Sequence, residues 1–293
     1  MRKMLDLELY VSIIGQSAFQ TVHSKGKAIV LGVTSKGVFL QNSVGQICFI
    51  SQEPFHGPLT VNLIDSVDLS ASFYIGESCQ INGNSIEFPD CRILIHKDTP
   101  IWEPSPICIS ELNVDQVLNR GNNLARQIKG DYQNGFFIDF FDALQEKSLE
   151  PAWKTLLNSI PDGKGDSSNF GKLPALLGLG GGLTPSGDDF ICGFLLTRYY
   201  LGKTLPAFEL MSEYIERIIA SAYKRTTALS AALIACAAEG QADERLMNLL
   251  HWLLSGEGET RKIKEELLSY GNSSGMDTFA GMLAAILLPA DVT

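Results

Sequence analysis

The sequence holds no C-x-x-C pair, and its four histidines lie far apart, so no zinc-site spacing is written in it. It lacks an excess of basic residues: the net charge of −10 excludes the broad cationic surface that nucleic acid requires. It lacks a long apolar run as well. The longest, 279–290, is too short to cross a bilayer. The opening stretch, MRKMLDLELYVSIIGQSAF, starts basic but meets acidic residues before any signal-like apolar segment. A soluble cytoplasmic protein with no membrane or nucleic-acid partner is expected, its six cysteines free in a reducing compartment.

What is present is an ordinary globular composition, 45% apolar over 293 residues, enough for two domains or one large one. Short β-rich runs fill the first part of the chain, at 28–35, 37–42, 46–51, 59–65, 71–76 and 91–97. Turn residues at 35–37, 43–45, 54–58 and 82–84 separate them, a spacing that predicts a small β-barrel or sandwich. The proline-rich TPIWEPSP, 99–106, cannot run as a helix and reads as a linker or a final edge segment.

Beyond it the pattern turns helical. Ser110 suits the start of a helix reaching about Lys129, with shorter helices at 136–147 and 151–159 and a polar loop at 161–173. Further helices are expected at about 188–201, 206–223, 227–239, 242–254, 259–270 and 275–288, several rich in alanine and leucine. The expectation is an α+β protein: a β-rich domain over 1–105 and an α-helical bundle over 106–293.

The segment GLGGGLTPSGDD, 178–189, concentrates unusual local chemistry. Gly180, Gly181 and Gly182 cost backbone entropy, which is tolerated where φ is positive or a ligand approaches the main chain. Thr184 precedes Pro185 and should be extended. Ser186 then fits an N-cap with Asp189 at the third helical position. Such a loop aims free N–H groups at one spot, with Gly187 close behind. Asp188 and Asp189 are adjacent and must point in different directions. One can cap while the other faces the loop, serving an amide or ammonium donor, a bridging Mg²⁺ or a general base. The plain alternative is a glycine-rich helix start with a good cap.

A second segment repeats the pattern. SGDDFICG at 186–193 and SGMDTFAG at 274–281 both read S-G-x-D-x-x-x-G, with the aspartates 88 positions apart (277 minus 189). Ser274, Gly275 and Asp277 would then face Ser186, Gly187 and Asp189 across one pseudo-symmetric site, Gly193 and Gly281 allowing close approach. Two unrelated capping boxes are the alternative. Between them, KRTTALSAAL offers Thr226 or Thr227 as a helix cap and Arg225 beside it as an anion clamp or a solvated surface charge.

GLGGGLTPSGDDFICG resembles the signature of the bacterial AllH family, a subunit of oxamate carbamoyltransferase. GNSSGMDTFAGML looks like that family's second block, RTTALSAALIACAAEG its T-T-x-x-S helix start, and VHS at 22–24 its N-terminal block. Gly181 stands where a proline is usual, and Asn272 where a histidine-like residue is expected. The resemblance implies a cytoplasmic multi-subunit enzyme of allantoin and purine breakdown, moving a carbamoyl group between oxalurate and phosphate to give oxamate and carbamoyl phosphate. It implies two other kinds of subunit as partners and adds His23 to the substrate-binding candidates.

The candidate catalytic residues are therefore Asp188, Asp189 and Asp277. Phosphate, carbamoyl phosphate or a small carboxylate would lie on Gly180, Gly181, Gly182, Thr184, Ser186, Gly187, Arg225, Thr226, Thr227, Ser274 and Gly275. Two other readings stay open: a Mg²⁺-dependent hydrolase of an amide or N-glycosidic bond built on the three aspartates, and a non-catalytic scaffold subunit that binds a metabolite.

Overall fold

The computed structural model describes residues 7–107, 109, 112–128, 141 and 173–287. Apart from residues 141 and 173, the expected helices at 136–147 and 151–159 and the loop at 161–173 lie outside the described residues, as does Ser110. The chain divides into two compact units, Met1–Pro104 and Ser105–Thr293. Among the described residues no helix is long and apolar enough to cross a membrane.

The first unit is an eight-stranded mixed barrel. Its strands are β1 (Leu7–Gly15), β2 (Gly26–Thr34), β3 (Gly37–Asn42), β4 (Ile47–Ser51), β5 (Thr60–Leu63), β6 (Ser78–Ile81), β7 (Ser85–Glu87) and β8 (Cys91–Leu94). They run in the order β5-β4-β3-β2-β6-β7-β8-β1, and β1 also pairs with β5. That last pairing, Val11 opposite Leu63 and Ile14 opposite Val61, joins the two edges and makes the fold a barrel rather than a sandwich. A register shift between Val11 and Ile13 changes which residues of β1 face inward: Leu9 and Val11 before it, Ile14 after it. The closing strand lies in the N-terminal stretch, where no strand was expected from sequence. β6 and β7, flanking the turn at 82–84, were likewise not anticipated.

The expected strand at 71–76 is not formed. Asp68 Oδ1 accepts the N–H of Ala71 and caps a one-turn helix, α2 (Leu69–Ser72). Phe73 then turns inward and packs against Phe88, the ring centroids 4.6 Å apart and the planes tilted by 58°. A local side-chain bond outcompetes β propensity here. The proline-rich segment does hold an edge strand: β9 (Ile101–Trp102) pairs in parallel with Ile14 and Gly15 of β1.

The second unit is helical. Its described helices are α3 (Val114–Ile128), α4 (Ser186–Thr204), α5 (Ser212–Arg225), α6 (Ala228–Ala238), α7 (Glu244–Ser255), α8 (Thr260–Ser269) and α9 (Ser274–Leu287). The helix expected from 206 starts later, because 206–208 forms a short 3-10 turn and the chain is extended at Glu209 and Met211. α4 is buried continuously over 187–198 and α9 over 275–286. Helices with no solvent face form the centre of a domain, and these two pack on each other there.

Candidate functional site

The glycine-rich loop descends from a 3-10 turn, Leu173–Leu176, into α4. Gly180 and Gly182 have φ of +114° and +89°, values that an L side chain rarely adopts. Residues 180–183 are exposed, and a Cβ at Gly181 or Gly182 would meet nothing within 4 Å. The N–H groups of Gly180, Gly181, Gly182 and Leu183 make no hydrogen bond among the described residues. An open run of main-chain donors at a helix start is what the glycines provide.

The capping expected of the two serines is not observed. Pro185 takes the N-cap position of α4, its carbonyl accepting from Asp188 and Asp189 at 2.9 and 3.1 Å, with no side-chain cap bond. Pro185 is itself extended, with φ −55° and ψ 143°, and Ser186 is the first residue of the helix. In α9 the Asp277 N–H donates to Ser273 O at 3.0 Å, so Ser274 again stands first rather than at the cap.

The two motifs meet. Thr184 Oγ1 and Ser274 Oγ are hydrogen bonded at 3.0 Å, joining the glycine loop to the start of α9. Beneath this bond lie Asp189 and Asp277, 3% and 0% exposed. Burial pushes the Asp189 carboxyl up to about 8, against the pull of the Ser274 hydroxyl; the nearby Asp277 pushes it further up, the Thr184 hydroxyl draws it down, and Asp188 again raises it. Gly187 and Gly275 leave room at both helix starts. A Cβ on either would strike a preceding carbonyl, Leu176 O at 2.0 Å and Leu267 O at 2.6 Å.

Asp188 points elsewhere. It is 1% exposed, one carboxylate oxygen accepting the Gly178 N–H at 2.8 Å and the other the hydroxyl of Thr226. Thr227 caps α6 by accepting the Ser230 N–H at 3.0 Å, and its hydroxyl donates to Leu183 O at 2.7 Å. Arg225 is exposed at the end of α5, with Nη1 donating to Pro174 O at 2.7 Å. The corner 225–227 therefore touches the loop-bearing segment at three points. Gly178 and Pro174 were not among the candidates from sequence. The only local signal for Gly178 was the glycine itself, since its partner Asp188 lies ten residues on.

His23 belongs to the barrel unit. It ends α1 (Gln16–His23), with its ring centroid 3.9 Å from that of Phe19 and Nδ1 bonded to Phe19 O at 3.0 Å. Among the described residues no group of three His, Cys, Asp or Glu side chains is arranged to hold a metal ion. With Asp188 turned to Gly178 and Thr226, the three aspartates do not fit a shared Mg²⁺.

Residues 176–286 match the family model described as oxamate carbamoyltransferase subunit AllH. The matched span contains both S-G-x-D-x-x-x-G motifs and the corner between them, and excludes the barrel. No solved structure matches the chain.

Proposed function

We propose that this chain is a subunit of a carbamoyltransferase working between oxalurate and phosphate, and that its glycine loop holds the phosphate. The family match over 176–286 supports the enzyme class, and the word subunit in that family's description supports partner chains. One observation supports the assignment of place: the Thr184–Ser274 bond, which ties the segment following the exposed loop 180–183 to the start of α9, where Asp277 is buried.

Each part has a chemical task in this reading. Backbone N–H groups at a helix start favour an anion through their partial charges, and Arg225 adds a full positive charge at the rim. A phosphate oxygen attacks the carbamoyl carbon of oxalurate, the bond from that carbon to the oxamate nitrogen breaks, and the departing nitrogen takes up a proton. Burial raises the Asp189 carboxyl toward its protonated form and it lies under two hydroxyls, so it is the candidate to hold that proton. The overall exchange yields oxamate and carbamoyl phosphate.

A thermal-shift series with phosphate, carbamoyl phosphate, oxamate, oxalurate and Mg²⁺ tests the reading. Phosphate and carbamoyl phosphate should raise the melting temperature and Mg²⁺ alone should not. Stabilisation by Mg²⁺ with no response to any anion would support the hydrolase instead. Anion binding with no carbamoyl transfer on adding the partner subunits would leave a metabolite-binding scaffold.

A further inference from the structure

The amides of 180–183, which make no hydrogen bond among the described residues, lie between two gripped points. On one side Gly178 is fixed: its N–H donates to Asp188 Oδ1 at 2.8 Å, and its Cα lies so close to Arg225 that a Cβ there would stand 2.7 Å from the Arg225 carbonyl oxygen. On the other side Leu183 O accepts from Thr227 at 2.7 Å. Both grips come from the corner between α5 and α6, and the first is made through Asp188, whose second oxygen accepts from Thr226.

We propose that Thr226 and Asp188 form a clasp that sets the shape of the glycine loop, acting as positioning residues that hold its amides in place without touching the ligand. The inference rests on the anion-binding reading of that loop. It gives Asp188 a task for which its placement is suited. A buried carboxylate with both oxygens engaged by the protein has little left to offer a substrate, whereas two charge-assisted bonds to partners at 178 and 226 tie distant segments together. It also separates the work of the adjacent threonines. Thr227 caps α6 and holds Leu183, so its loss would disturb a helix. Among the described residues the Thr226 side chain bonds to Asp188 alone, so Thr226→Val probes the clasp with the cap intact. Preorganised donors cost nothing to arrange when the ligand arrives, and a loosened loop would lose that advantage.

The test compares the wild-type chain with Thr226→Val and Thr226→Ser by amide hydrogen exchange and by calorimetric titration with inorganic phosphate. Thr226→Val should speed exchange at Gly178 and Gly187, leave the centres of α4 and α9 protected, and weaken phosphate about tenfold. Thr226→Ser keeps the hydroxyl and should restore both. Unchanged exchange at Gly178, or a faster loop with unchanged phosphate affinity, overturns the proposal. So does a uniform loss of protection across α4 and α9, which would mark Thr226 as a general structural residue. Failure of the wild-type chain to bind phosphate removes the anion reading, and with it the claim that the clasp serves a ligand.

Discussion

Gly193 and Gly281 occupy reciprocal places in the pair of central helices. A Cβ built on Gly193 would stand 1.9 Å from Thr278 O and 3.1 Å from Met282 N; one on Gly281 would stand 2.0 Å from Phe190 O and 3.0 Å from Phe194 N. Each of these positions corresponds to its counterpart through the same offset of 88 that relates Asp189 to Asp277 (281 minus 193, 278 minus 190, 282 minus 194). The contact is therefore approximately two-fold, and it brings the two S-G-x-D starts together.

Alanine at either glycine must push two backbones apart. Gly193→Ala and Gly281→Ala should each cost about 1–3 kcal/mol in urea unfolding, the usual range for overpacking a core. The double variant should cost less than the sum, because the first substitution already separates the helices. Full additivity would argue against a shared crossing. Gly181→Ala, with nothing within 4 Å of the added carbon, should leave stability nearly unchanged.

Asp189 makes stability depend on pH with a definite sign. Burial raises its carboxyl from the ordinary 3.8 to about 8, so the folded state favours the protonated form. The stability this group contributes is complete below about pH 4 and is lost as the pH rises to about 8. Melting temperatures of wild type and Asp189→Asn, taken from pH 5 to 9, should show the variant gaining on the wild type as pH increases. A constant difference across that range would place the carboxyl at an ordinary value. Since Asp189 does not cap α4, no cap penalty is expected from the substitution.

Arg225 should contribute to anion affinity with little effect on stability, being exposed and held by a bond to Pro174 O. Arg225→Ala should weaken phosphate binding by about 1.5–3 kcal/mol, the span for a charge-assisted hydrogen bond. Unchanged affinity in a calorimetric titration would leave Arg225 only its contact with the carbonyl of Pro174.

The two units have separate cores, the barrel's drawn from residues up to Ile95 and the helical unit's from Val117 onward. A protease site inserted between Pro104 and Ser105 should be cut under native conditions, and the barrel fragment should retain its β-type circular dichroism. Loss of that signal on cleavage would show that the barrel depends on the rest of the chain.

Local pattern determined much of this protein. Alternating β-rich runs and turn glycines announced a β unit before residue 105, and alanine- and leucine-rich periodicity a helical one after it. The glycine run announced a loop suited to positive φ, which Gly180 and Gly182 adopt, because that feature depends on neighbours within one or two turns, while the recurrence of S-G-x-D-x-x-x-G pointed to two helix starts facing each other. Tertiary structure decided the rest. The barrel closes through β1, whose pairing with β5 joins residues some 50 positions apart, as Val11 with Leu63 shows (63 minus 11 is 52). The cap of α4 falls on Pro185 rather than Ser186. Asp188 is committed to Thr226, 38 residues away, and Thr184 to Ser274, 90 away. No sequence window contains both members of such pairs; Thr184 and Ser274 meet through the burial of α4 and α9 against each other and Asp188 and Thr226 through the packing of α4 on α6, packing free energies that belong to the whole domain.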